Sequence, residues 1–229
     1  MSEPIFLSNV RVSFPHIATP HAVRQGMEAK YQVDLIIRPD DPAWQTIMQR
    51  VQQVAQQKYG EHAPQMLQMI NNDRMKRCFG AGEEKLNKNT MAPYEGYAGH
   101  MYLSVKNKKR PQIIRPDGVE VDSANDMAYT QEAGKIYGGC YVNAAVDLYT
   151  SKQNDGVFGG LLGIQFAKDG DSFGDAAPSV SGMFGKTAEP TAPAAPATPF
   201  GQATAPASEG MPAAPFSPPG MPGFMGGND

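Results

Sequence analysis

The two-residue alternation of residues 141–149 constrains this chain more than any other feature. Val142, Ala144, Val146 and Leu148 form a uniformly apolar set, interleaved with the mixed set Tyr141, Asn143, Ala145, Asp147 and Tyr149. Side chains on a strand point alternately to opposite faces, so the segment reads as a half-buried β-strand with the apolar set on a core. A second strand, Phe158–Phe166, follows the polar loop Thr150–Val157 with its Asn154-Asp155-Gly156 turn signal. The spacing predicts a long antiparallel hairpin.

Four further strands are predicted upstream. Residues Ile5–Phe14 alternate with a phase break at Ser8-Asn9, which suggests a bulge, and Pro15 is expected to end the strand. Lys30–Ile37, Gly99–Val105 and Gln112–Arg115 are bounded by turn residues. Asp41 followed by Pro42 is an N-cap and first-turn proline, and Ile47, Val51, Val54 and Ala55 recur at helical spacing up to Tyr59-Gly60. A shorter helix is expected over Ala63–Ile70, with Met66 and Met69 as core filler, and residues 79–96 read as a polar, Gly-rich connector. Strands outnumber helices and do not alternate with them. The expected class is therefore mainly β with a helical insertion, a small Greek-key barrel rather than a βαβ sheet.

Composition sets the domain boundary. Residues 176–229 hold 11 of the 20 prolines, and most of the remainder is Ala, Gly, Ser and Thr. Such a segment has too little apolar surface to offset its ordering entropy, so one domain over 1–175 and a disordered tail over 176–229 are expected. Charge divides similarly: residues 1–168 carry a net +2 and residues 169–229 a net −5. Cys78 and Cys140 suit neither a disulfide framework nor a zinc site, and indicate buried thiols in a reducing compartment. The first residues show no secretory pattern, and no apolar run is long enough to span a membrane. The expectation is a soluble protein of the cytoplasm.

Sequence templates for hydrolases, P-loop enzymes, dinucleotide enzymes and zinc proteases are empty, and His16, His21, His62 and His100 read as structural or exposed. Asp169, Asp171 and Asp175 resemble part of a calcium loop without its closing Glu. No cofactor or metal is expected. Basic residues do interleave with aromatics. Tyr102 falls on the more polar strand face, and Lys106, Lys108, Lys109 and Arg110 follow it into a turn. Tyr141 and Tyr149 lie on the polar hairpin face, with Lys152 just beyond. Exposed rings suit base stacking and nearby cations suit phosphates. Two other readings remain open on pattern alone: a structural or assembly protein, and a metal-dependent nuclease using the three aspartates.

Asn9-Val-Arg11-Val-Ser13-Phe14-Pro15, Gly138-Gly-Cys-Tyr141-Val142-Asn143, Tyr149, Gly163-Ile-Gln165-Phe, Gly170 and Phe173-Gly174 together resemble the phage single-stranded-DNA-binding proteins once catalogued as a domain of unknown function. The resemblance spans most of residues 4–175. It implies a five-stranded OB barrel that binds single strands with little sequence preference in phage replication, recombination and repair, and a tail that contacts replication or recombination proteins. It also places Arg11, Ser13 and Phe14 on the first strand and Tyr141 and Asn143 on the strand that opens the hairpin; in the single-strand-binding reading Arg11 tracks phosphates and Phe14 stacks on bases. Phe200, Phe216 and Phe224 are spaced apolar hooks through which the tail would meet partners. An exposed edge strand would let two barrels pair as a homodimer.

Overall fold

A computed structural model describes residues 3–22, 25–151 and 153–174. Lys152, Asp175 and the expected tail, with Phe200, Phe216 and Phe224, lie outside the described residues. Seven strands and three α-helices are present among those described: β1 (Ile5–His21), β2 (Lys30–Ile37), α1 (Pro42–Tyr59), α2 (Ala63–Asn72), β3 (Phe79–Ala81), β4 (Met101–Asn107), β5 (Gln112–Ile114), α3 (Asp126–Ala133), β6 (Tyr141–Thr150) and β7 (Val157–Lys168). No helix among them is long and apolar enough to cross a membrane.

The hairpin expected from the alternation is β6–β7, with Tyr149 opposite Phe158 next to the loop. Val142, Ala144, Val146 and Leu148 are buried, as their shared face requires. β1 does not stop at Pro15 but runs on to His21 opposite β2. The register shifts between Ser13 and His16, so Pro15 occupies an irregularity where its missing N–H breaks no ladder bond. The earlier phase break is a true bulge. Asn9 adopts φ 52° and the pairing of β1 with β6 shifts between Leu7 and Val10.

The strands lie in the order β3-β4-β2-β1-β6-β7-β5, with five long strands and the three-residue β3 and β5 at the ends. The sheet curls until the segment before β3 joins β4 to β7. The Ser104 amide donates to the Cys78 carbonyl, the Cys78 amide to Val157, and the Val157 amide to Lys76. Inside lie Val12, Leu35, Leu103, Val105, Val142, Leu161 and Ile164, each fully or almost fully buried, and each such side chain contributes about 1.5–3 kcal/mol. The helical insertion starts as expected. Asp41 accepts a bond from the Ala43 amide at 2.9 Å, and α1 buries Ile47, Val51, Val54 and Ala55.

Residues 169–174 strap across the turn before β6. The Phe173 amide bonds the Gly138 carbonyl at 2.8 Å, and the Tyr137 hydroxyl meets Asp169 Oδ1 at 3.0 Å. Gly139 permits the crossing. Its φ is +107°, and a Cβ there would stand 1.9 Å from the Asp171 carbonyl oxygen.

Both cysteines are buried. Burial pushes the Cys78 thiol up to about 12 and also raises Cys140. At pH 8 both thiols stay protonated in the folded protein and should resist a disulfide reagent that labels two equivalents in guanidinium. Prompt labelling of the native protein would contradict this.

Candidate nucleic-acid interface

A trough of about 890 Å³ runs over the outer surface where β4 approaches β7. Alternation along β4 sends Tyr102, Ser104 and Lys106 outward while Leu103 and Val105 enter the core. Across the seam β7 offers Phe158, Gly159, Gly160 and Leu162, and β6 adds Asp147 and Tyr149. The cations are Lys30, Arg74, Arg77, Lys85, Lys106, Lys108 and Lys109, with Met75 among them. Tyr149 is 42% exposed, and its ring lies 6.1 Å from that of Phe158 at a 38° tilt.

The cations fall into two groups. Lys85 pairs with Asp34 at 2.7 Å, Arg77 with Glu84 at 2.7 Å and Lys108 with Glu28 at 2.8 Å, while Arg74 approaches Glu84 at 3.9 Å. Among the described residues, no ion pair involves Lys30, Lys106 or Lys109. Burial between the walls lowers the Lys106 pKa; Asp34 opposes the shift, and Lys85 and Lys30 add to it. A site that disfavours its own cation in this way gains most when a polyanion enters.

Beneath the cations lies a buried polar hub. Asp34 on β2 is 8% exposed and accepts from Lys85 Nζ at 2.7 Å, the Tyr97 hydroxyl at 2.8 Å and the Ser104 hydroxyl at 2.5 Å. Residues 82–100 thereby fold down over the outer face of β2 and β4 instead of forming a loose connector. Ile36, Tyr97 and Tyr102 make a small second core there, against which Tyr94 and Phe173 pack.

Of the residues expected from sequence to meet DNA, the trough collects Tyr102, Tyr149, Lys106, Lys108 and Lys109. Tyr102 corrects its expectation. It does face outward, but it is only 3% exposed and carries Lys85 Nζ 4.4 Å from its ring centroid, so it offers no open stacking surface. Arg110 is also committed elsewhere. It bonds the Ser123 carbonyl at 2.9 Å and Asp126 at 2.7 Å, with its guanidinium over Tyr129, and so anchors the start of α3.

Arg11 is a structural fastener. Its Nε donates to the Gly139 carbonyl at 3.1 Å and Nη2 to the Asp171 carbonyl at 2.8 Å, with the guanidinium 4.2 Å from the Phe173 ring centroid. Tyr141 lies between Arg11 and Lys168, 5.9 and 4.5 Å from its centroid. Phe14 is 41% exposed, at φ 48°, and packs edge-on against Tyr94 at 4.9 Å. Neither Tyr141 nor Phe14 lines the trough. Sequence reasoning missed Phe158, Lys30, Arg74, Arg77 and Lys85. Only Phe158 carried a usable signal, through its hairpin register with Tyr149.

A sequence profile of the family described as Enterobacter phage Enc34, ssDNA-binding protein, matches residues 3–192. Putative protein p50 of Acyrthosiphon pisum secondary endosymbiont phage 1 is 33% identical over 172 residues, 74% of this chain and 85% of p50. Among solved structures, the single-stranded DNA-binding protein from bacteriophage Enc34 in complex with ssDNA superposes with a TM-score of 0.57 at 22% identity, covering 75% of this chain and 89% of that one. The C-terminal truncation of the Enc34 protein gives 0.54 at 22% identity, covering 74% and 88%. The barrel is of the OB type expected.

Proposed function

The chain belongs to the Enc34 phage single-stranded-DNA-binding family, and from that premise we propose that it binds single-stranded DNA along the β4–β7 trough. The observation that carries the assignment is the coincidence, in one depression, of the Tyr149–Phe158 ring pair with seven cations against one lining carboxylate. Rings that stack on any base together with cations that track a backbone give sequence-tolerant binding. Tyr149 and Phe158 take bases, and Lys30, Lys106 and Lys109 take phosphates. Lys108 joins them by exchanging Glu28 for a phosphate.

The role is binding rather than catalysis. The reading extends to protection of strands in phage replication, recombination and repair in the host cytoplasm, with partners met through residues 176–229.

Fluorescence anisotropy of a labelled thirty-mer of deoxythymidine, with a matched duplex alongside, tests the assignment. Tight binding that prefers the single strand is expected, and absence of binding at low salt would refute it. The salt dependence is also specified. With three cations lacking an internal acid partner and ~0.7 counterion released per single-strand phosphate, the slope of log K against log salt should be about −2. A slope near −5 would mean that the ion-paired cations contribute in full.

A further inference from the structure

We infer that Glu84, at the rim where the trough meets a neighbouring depression through their shared Arg77, holds the place of a phosphate that bound DNA must displace; this rests on the single-strand reading above. Glu84 Oε2 accepts from Arg77 Nη2 at 2.7 Å and stands 3.9 Å from Arg74 Nε. One carboxylate oxygen between two guanidinium groups that line a nucleic-acid trough takes the place and charge of a phosphate oxygen. The arginine is built in rather than draped on the surface. The Arg77 side chain is only 9% exposed, its Nη1 donates to the Phe79 carbonyl at 2.7 Å, and its Nε is buried without a partner.

The backbone beneath is shaped for this pair. A Cβ on Gly80 would lie 2.2 Å from Arg77 Nη1 and 3.0 Å from both Glu84 Oε2 and the Tyr102 ring, so the ion pair lies flat on bare backbone. Arg74 and Glu84 are by contrast partly open to solvent, at 54% and 31% side-chain exposure. Arg77 is thus fixed, and the carboxylate is the part that can leave it. Gly82, whose Cβ would meet the Tyr97 carbonyl oxygen at 1.9 Å, pins the turn carrying Glu84. Release therefore needs only a side-chain rotation.

In the wild-type protein a phosphate arriving on Arg77 and Arg74 liberates a carboxylate that recruits a cation from solution, so this contact adds almost nothing to net counterion release. Glu84→Gln removes that compensation. The variant should bind the deoxythymidine thirty-mer roughly three- to tenfold more tightly near 100 mM salt, with a slope steeper by about 0.7. Arg74→Gln should weaken binding less than twofold in the wild type but several-fold in the Glu84→Gln background.

A structural role alone predicts the reverse, since cutting a short ion pair would lower affinity or leave it unchanged with the slope unaltered. Either result overturns the inference. Thermal melting of each variant separates loss of fold from loss of binding. If the wild-type protein itself binds no single strand at low salt, the function reading fails instead.

Discussion

Asp34→Ala is expected to lower the free energy of unfolding by about 3 kcal/mol, the low end for removing one partner of a buried ion pair. Asp34 receives three donors, and the substitution strands them unequally. Tyr97 is fully buried and loses the acceptor of its hydroxyl, which costs about 1–3 kcal/mol. Lys85, 22% exposed at its side chain, can turn into the trough and rehydrate, which keeps the total near the low end. Residues 82–100 depend on this hub for their seat on β2 and β4, so the loss should come with faster proteolysis within 82–100. Urea unfolding monitored by circular dichroism measures the effect. A loss below 1 kcal/mol would show that the loop is held by Tyr97 and Tyr102 packing alone.

The second large effect concerns binding. Removing both trough rings, Tyr149→Ala with Phe158→Ala, should weaken single-strand affinity about a hundredfold or more, given ~1–3 kcal/mol per stacked base. The salt slope should stay close to the wild-type value, because no cation is touched. That separation is the diagnostic part. A loss in affinity with a matching fall in slope would mean that the trough had collapsed, and an affinity within threefold of wild type would remove the rings from the interface. Tyr141→Ala serves as the contrast. Its ring packs between Arg11 and Lys168 outside the trough, so it should leave affinity nearly unchanged.

Much of the barrel was legible because local pattern and tertiary position agree there. The β6 alternation assigned each residue of 141–149 to its observed face, Asp41-Pro42 marked the start of α1, and the phase break at Asn9 marked a real bulge. Several motif residues behind the family resemblance bond to one another. The Asn9 amide donates to Asn143, Asn143 to Gln165, and Gln165 to the Arg115 carbonyl. This amide relay ties β1, β6 and β7 to the end of β5, which makes these motif residues architectural.

What sequence could not show was how the outer face is roofed. Alternation correctly turned Tyr102 outward, yet residues 79–96 read as a polar connector, and nothing local indicates that Lys85 would reach Asp34, 51 positions away. Lys109 and Arg110 are neighbours in sequence with opposite fates. Arg110 is drawn to Asp126 on α3, a helix the sequence reading omitted because its apolar residues make no stripe. Met127 there is 81% exposed while Tyr129 is buried.

The closure of the barrel through Lys76–Cys78 carries a consequence for how the protein lives on its ligand. The peptide groups that stitch β4 to β7 belong to the stretch that supplies Arg77 and Cys78 to the trough. On the proposed binding mode, a strand lying across that trough would splint this joint. Occupancy and closure then form one linked equilibrium, and each bound strand adds to the stability of the closed form by mass action.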